Sequence, residues 1–166
     1  MDKQEIVGID RNMGTDFLIG LIVGVAILII GGIIPGIGAI SVPTLPQSLS
    51  SDVTKIIVVV ILASLFETFA FFDIVLSFFH NKLGRFGLKL PFIVAVILTS
   101  VVFAGFHYSA YSGGFSGNSG AFVSAFIMGL VFCYERKFTN SNLPGILTHM
   151  VLNYWIAFGS LSIVLG

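Results

Sequence analysis

Long apolar runs alternate with short polar ones along the chain, and the apolar runs carry no continuous polar face. Five of them reach or approach the roughly 20 residues an α-helix needs to cross about 30 Å of hydrocarbon. They lie at about 17–34, 53–79, 91–108, 121–134 and 143–165. The pattern predicts an all-α protein, a polytopic transmembrane helix bundle of about five spans. Residues 1–16 read as a short polar tail and 17–166 as a single transmembrane helical domain. The tail, MDKQEIVGIDRNMGTD, is as acidic as it is basic and lacks a small-residue cleavage site, so it reads as a mature segment and not as a secretory signal.

Within the runs, Gly20 and Gly24 form a GxxxG pair that permits close helix approach. The 121–134 run is short and borrows residues from its flanks. Polar connections separate the runs: PGIGAISVPTLPQSLSSD, HNKLGRFGLK, YSAYSGGFSGNSG and ERKFTNSN. At the start of the last run, Asn142 suits an N-cap and Pro144 the first turn, where its missing N–H costs little.

Composition supports the membrane reading. The chain is 56% hydrophobic and 10% charged, against about a quarter charged for a soluble domain. Lipid must therefore be the solvent for much of the exterior. The formal net charge of +0 gives no footing for a nucleic-acid partner, and the single Cys133 reads as packing. Basic residues then orient the spans. Lys3, Arg11, Lys82, Arg85, Lys89, Arg136 and Lys137 fall on one side, and only Lys55 on the other. The positive-inside rule places the N-terminus in the cytoplasm. A prokaryotic plasma membrane is the expectation for so compact a chain.

Against this apolar background, a few ionisable residues stand out. Glu67, in LASLFETFAFFDIVL, is far from either end of its run. A charged side chain near the bilayer centre costs at least ~2.5 kcal/mol, so it persists when paired, solvated in a cavity, or functional. One reading is a neutral Glu bonded between helices; another is a general base. His107 ends VVFAGFHYSAY, with Phe103 four residues earlier on the same helical face. His149 and Asn153, in LTHMVLNYW, are also four apart and share a face; alone, such a pair can simply join helices. By helical rise, Glu67 sits roughly 20 Å and Asn153 roughly 15 Å from the cytoplasmic side. His107 falls higher and His149 lower, so the four are expected to line one cavity with loosely matched depths. Asp73, six residues beyond Glu67, is expected to face another side. No HExxH, CxxC, phosphate-binding glycine loop or GxSxG occurs.

The order Glu67, then FAGFH ending at His107, then HMVLN from His149 to Asn153, resembles the CAAX protease and bacteriocin-processing (Abi) family of intramembrane proteases. That family carries the patterns EExxxR, FxxxH and HxxxN on successive membrane helices. The second and third are present here. In the first, Glu67 matches the leading Glu, Thr68 stands at the second Glu and Phe72 at the Arg. The resemblance spans about residues 55 to 160 and includes the run FIMGLVFCYERKFTNSNLPGILTHMVLNYW.

What the resemblance implies is an endopeptidase acting on membrane-proximal or lipidated peptides, with membrane lipids and a membrane-associated or prenylated peptide or protein substrate as its partners. Glu67 and His107 would activate a water, and His149 and Asn153 would stabilise the oxyanion. Glu67, His107 and His149 also form a donor set suited to zinc, so a metal-free glutamate mechanism and a zinc site both stay open. The departures at Thr68 and Phe72 keep a second class in view, a non-catalytic relative serving as an immunity or peptide-binding protein. A small transporter is a third, resting only on a polar cavity, and no internal repeat supports it.

Overall fold

The structure, a computed structural model, describes residues 13–33, 51–83, 87, 90–111 and 119–158. The tail up to residue 12 with Lys3 and Arg11, the 34–50 connection, residues 84–86 and 88–89 with Arg85 and Lys89, residues 112–118 of the third connection and the end of the last run beyond 158 lie outside the described residues.

The described residues form five helical segments and no strand: α1, Met13–Ile33; α2, Asp52–Lys82; α3, Phe92–Tyr111; α4, Ser119–Thr139; and α5, Leu143–Phe158. An all-α bundle is what the apolar runs predict. Met13–Ile30 and Asp52–Lys82 are long and apolar enough to cross a membrane, while α3 and α5 contribute the shorter apolar stretches Phe92–His107 and Leu143–Phe158.

Local chemistry accounts for the ends. Ser51 caps α2, its hydroxyl accepting the Thr54 N–H at 3.1 Å. Hydrogen bonding within α2 is wide-turn, of π type, over Lys55–Ala63 and Thr68–Val75, and a regular α turn, Ser64–Glu67, lies between them. At the start of α3, the Pro91 carbonyl accepts the N–H groups of Val94 and Ala95. α4 runs past the expected end at 134 to Thr139, so the ERKF of the expected loop is helical. Asn140 then takes a left-handed φ of 51°, which Asn tolerates better than most residues. The expected N-cap of α5 is only half right. Asn142 O accepts the Ile146 N–H, but the capping side chain is Ser141, whose Oγ accepts the Leu143 N–H at 3.2 Å.

Two small-residue seams hold the bundle. α3 packs on α4 through Ala95, Val96, Ser100 and Ala104 against Ala125, Gly129 and Cys133, all of them buried. A Cβ at Gly129 would come within 2.9 Å of Ser100 Cα. α1 packs on α5 through the GxxxG pair: a Cβ on Gly20 would stand 2.6 Å from the Pro144 carbonyl oxygen, and one on Gly24 2.9 Å from Val151 Cβ. Gly20→Ala is therefore expected to destabilise the bundle by about 1–3 kcal/mol through overpacking against backbone. Gly105→Ala, with nothing within 4 Å of the new methyl, is the matched control. Thermal unfolding in detergent reads both, and equal midpoints would show that the seam yields.

The faces turned outward are apolar. On α2, Phe66, Phe69 and Ile74 are exposed, whereas Glu67, Thr68, Phe71 and Phe72 point inward. This is a soluble protein's pattern reversed at the surface only, as lipid contact requires.

Candidate active site

Three helices converge on one carboxylate oxygen. Glu67 Oε2, from the regular turn of α2, lies 3.2 Å from His107 Nε2 on α3 and 3.4 Å from His149 Nε2 on α5. Glu67 is 7% and His149 4% exposed, so the group sits inside the bundle. The sequence placed these three at different depths; the length of α2 and the packing of α3 and α5 on it bring them level.

The His107 ring is fixed by what lies behind it, whereas His149 Nδ1 is buried with no hydrogen-bond partner among the described residues. His107 Nδ1 is 3.0 Å from the Phe103 carbonyl oxygen, one turn back on its own helix. A carbonyl only accepts, so Nδ1 carries a hydrogen and donates. In the neutral ring Nε2 then presents a lone pair to Glu67 Oε2, another acceptor. Two acceptors at 3.2 Å need a positive charge between them or on one of them: a proton on His107 or Glu67, or a cation. The arrangement is thus built to gather positive charge at Glu67.

The walls are aromatic. Phe132 stacks on His149 with centroids 5.0 Å apart and planes at 28°. Phe103 stands 4.2 Å from the His107 ring and packs on Phe72, which in turn meets Phe132. Phe72, at the position of the family's Arg, is 1% exposed and is part of this wall. Thr68, at the family's second Glu, is also 1% exposed, and its Oγ1 has no hydrogen-bond partner among the described residues.

Asn153 lies one turn beyond His149 but does not touch Glu67 directly. Its Nδ2 donates to the Val59 carbonyl oxygen at 3.0 Å and to Ser64 Oγ at 3.1 Å, so it ties α5 to α2 immediately beside the acid. Asp73 is turned away from Glu67, as its spacing implies, yet it has a partner the sequence reading did not foresee: its Oδ1 is 3.2 Å from Arg136 on α4. Phe132 and Ser64 were missed as well. Ser64 precedes Glu67 by three and so shares its face, a readable signal; nothing in the sequence singles out Phe132 from 17 phenylalanines.

The donor atoms of Glu67, His107 and His149 lie within 4.8 Å of one another. Zinc bonds of about 2.0–2.1 Å set tetrahedral ligand atoms roughly 3.3 Å apart. The two contacts to Glu67, at 3.2 and 3.4 Å, fit that edge, and the Phe103 carbonyl behind His107 is a typical second-shell partner for a ligating imidazole.

Residues 49–155 match the family model described as type II CAAX prenyl endopeptidase, Rce1-like. The chain belongs to this family. As a member of the Rce1-like family it is a membrane protein, consistent with its two long apolar helices. The match includes α2 through most of α5, and with them every residue named in the site. No curated protein and no solved structure matches the chain.

Proposed function

We propose that this chain is an intramembrane endopeptidase that cleaves membrane-proximal or prenylated peptides with a water activated by Glu67 and His107. The observation that carries the reading is the convergence of two imidazole Nε2 atoms on Glu67 Oε2, at 3.2 and 3.4 Å, inside a member of an endopeptidase family. All helices cross the bilayer in this reading, with the N-terminus and the Arg136–Lys137 end of α4 on the cytoplasmic side.

In the reaction, Glu67 takes a proton from water and the hydroxide attacks the scissile carbonyl carbon. The Glu67–His107 pair holds that proton, and it passes to the leaving amine as the C–N bond breaks. His149 faces the oxygen on which negative charge develops. Asn153 completes the donors when the substrate oxygen replaces Ser64 Oγ as an acceptor of its amide hydrogen. A zinc ion held by Glu67, His107 and His149 would supply Lewis acidity at the same point. The aromatic wall keeps bulk water from competing for these groups.

Wild type and Glu67→Gln, expressed at equal membrane levels, should differ in the new N-termini they generate across the membrane proteome. Termini found only with wild type would establish the peptidase and show its substrate class through their flanking sequences. Identical profiles would sink the proposal and leave a cavity that binds without cutting.

A further inference from the structure

A second buried acid, which the reaction above does not use, lies on α4. Glu135 is 6% exposed. Its Oε1 is 2.7 Å from Thr148 Oγ1, and that hydroxyl also lies 2.9 Å from the Gly20 carbonyl oxygen. Its Oε2 is buried, has no hydrogen-bond partner among the described residues, and faces Gly145, where an added Cβ would stand 3.8 Å away. Among the described residues no cation is within ion-pair distance of Glu135. Its neighbours on α4 are engaged elsewhere: Arg136 with Asp73 and Asn140, and Lys137 over the Phe92 ring.

Counting hydrogens settles the polarity. A threonine hydroxyl has one hydrogen, and the Gly20 carbonyl can only accept. With Glu135 ionised, both neighbours of Thr148 are acceptors, so one short oxygen contact has no hydrogen, and a carboxylate is buried without a counter-charge. With Glu135 protonated, each contact has its own hydrogen. Glu135 donates to Thr148, Thr148 donates to Gly20, and three helices are joined in one directional chain.

We infer that Glu135 is held as a neutral carboxylic acid which, through Thr148, joins α4 and α1 to α5 and acts as a positioning residue for His149. Thr148 immediately precedes His149, so anchoring its hydroxyl fixes the rotation of α5 that aims the imidazole at Glu67. The positioning half of the inference rests on the peptidase reading; the protonation half does not.

Infrared spectroscopy of the full chain in detergent micelles at neutral pH reads the protonation state directly. The expected result is a protonated-carboxyl stretch that disappears in Glu135→Gln, survives in Glu67→Gln and moves in Thr148→Val. Absence of any such band, or its loss only in Glu67→Gln, overturns the inference. On a prenylated CAAX peptide, Glu135→Ala should lower kcat by about 10²-fold with little change in KM, the effect of misplacing a reacting group by about 1 Å. Glu135→Gln keeps an uncharged donor to Thr148 and should recover most of that loss. Equal loss in both variants would show that the carboxyl does not act through this hydrogen bond. If wild type cleaves nothing, the peptidase reading fails, and the infrared spectrum still decides whether Glu135 is a neutral acid.

Discussion

Changing His107 to Gln is expected to lower cleavage of a prenylated peptide by about 10²–10⁴-fold while the bundle stays folded. The ring is held from behind by Phe103 and meets Glu67 Oε2 at 3.2 Å, so in the proposed reaction the pair would work as one proton-handling unit. A Gln amide has neither the ring nitrogen at that distance nor the ability to share a proton at neutral pH. Residues that act as a unit are strongly non-additive. The Glu67→Gln, His107→Gln double variant should therefore be no slower than the slower single variant. Measured kcat/KM values for the four proteins check this, and losses that multiply would show that the two side chains serve different steps.

Restoring the family's arginine at position 72 is expected to damage this protein. Phe72 is 1% exposed and sits among Phe71, Phe103 and Phe132. A guanidinium there would be buried in an aromatic wall, at a cost of about 3 kcal/mol or more. Phe72→Arg should lower the thermal unfolding midpoint in detergent far more than Phe72→Leu does. Equal midpoints would mean that the site has room for the arginine and that the aromatic wall is not what fills its place. The departure from EExxxR therefore reads as a repacked wall next to the histidines, with Glu67 left where the chemistry needs it.

The helices were legible because lipid-facing segments must be apolar throughout, and the runs starting near 17, 53, 91 and 143 correspond to α1, α2, α3 and α5. α4 was harder. Its last turns carry Glu135, Arg136 and Lys137, which look like a loop until Thr148 and Asp73 are known to receive two of them. Glu67, His107, His149 and Asn153 stood out because polar groups are expensive in hydrocarbon. Their separate roles in the packing did not, since helical spacing shows which residues share a face and not what that face meets. The two amide bonds of Asn153 to α2, and the stacking of Phe132 on His149, depend on how helices distant in sequence are rotated against each other.

α1 lies outside the stretch matched to the family, yet it is stitched to α5 at Gly20 and Gly24. Pro144, Leu147 and Val151 supply the other side of that seam, two of them within four residues of His149. Most of the remaining surface of α1 is exposed apolar side chain, including Phe17, Leu18, Ile22, Val25 and Ile29, which any oily residue can replace. The outward positions of this helix thus accept any apolar side chain, while Asp16 is buried and two glycine positions are denied even a methyl group. What the bundle asks of its first helix is chiefly a profile, a notch of fixed spacing cut into an oily rod.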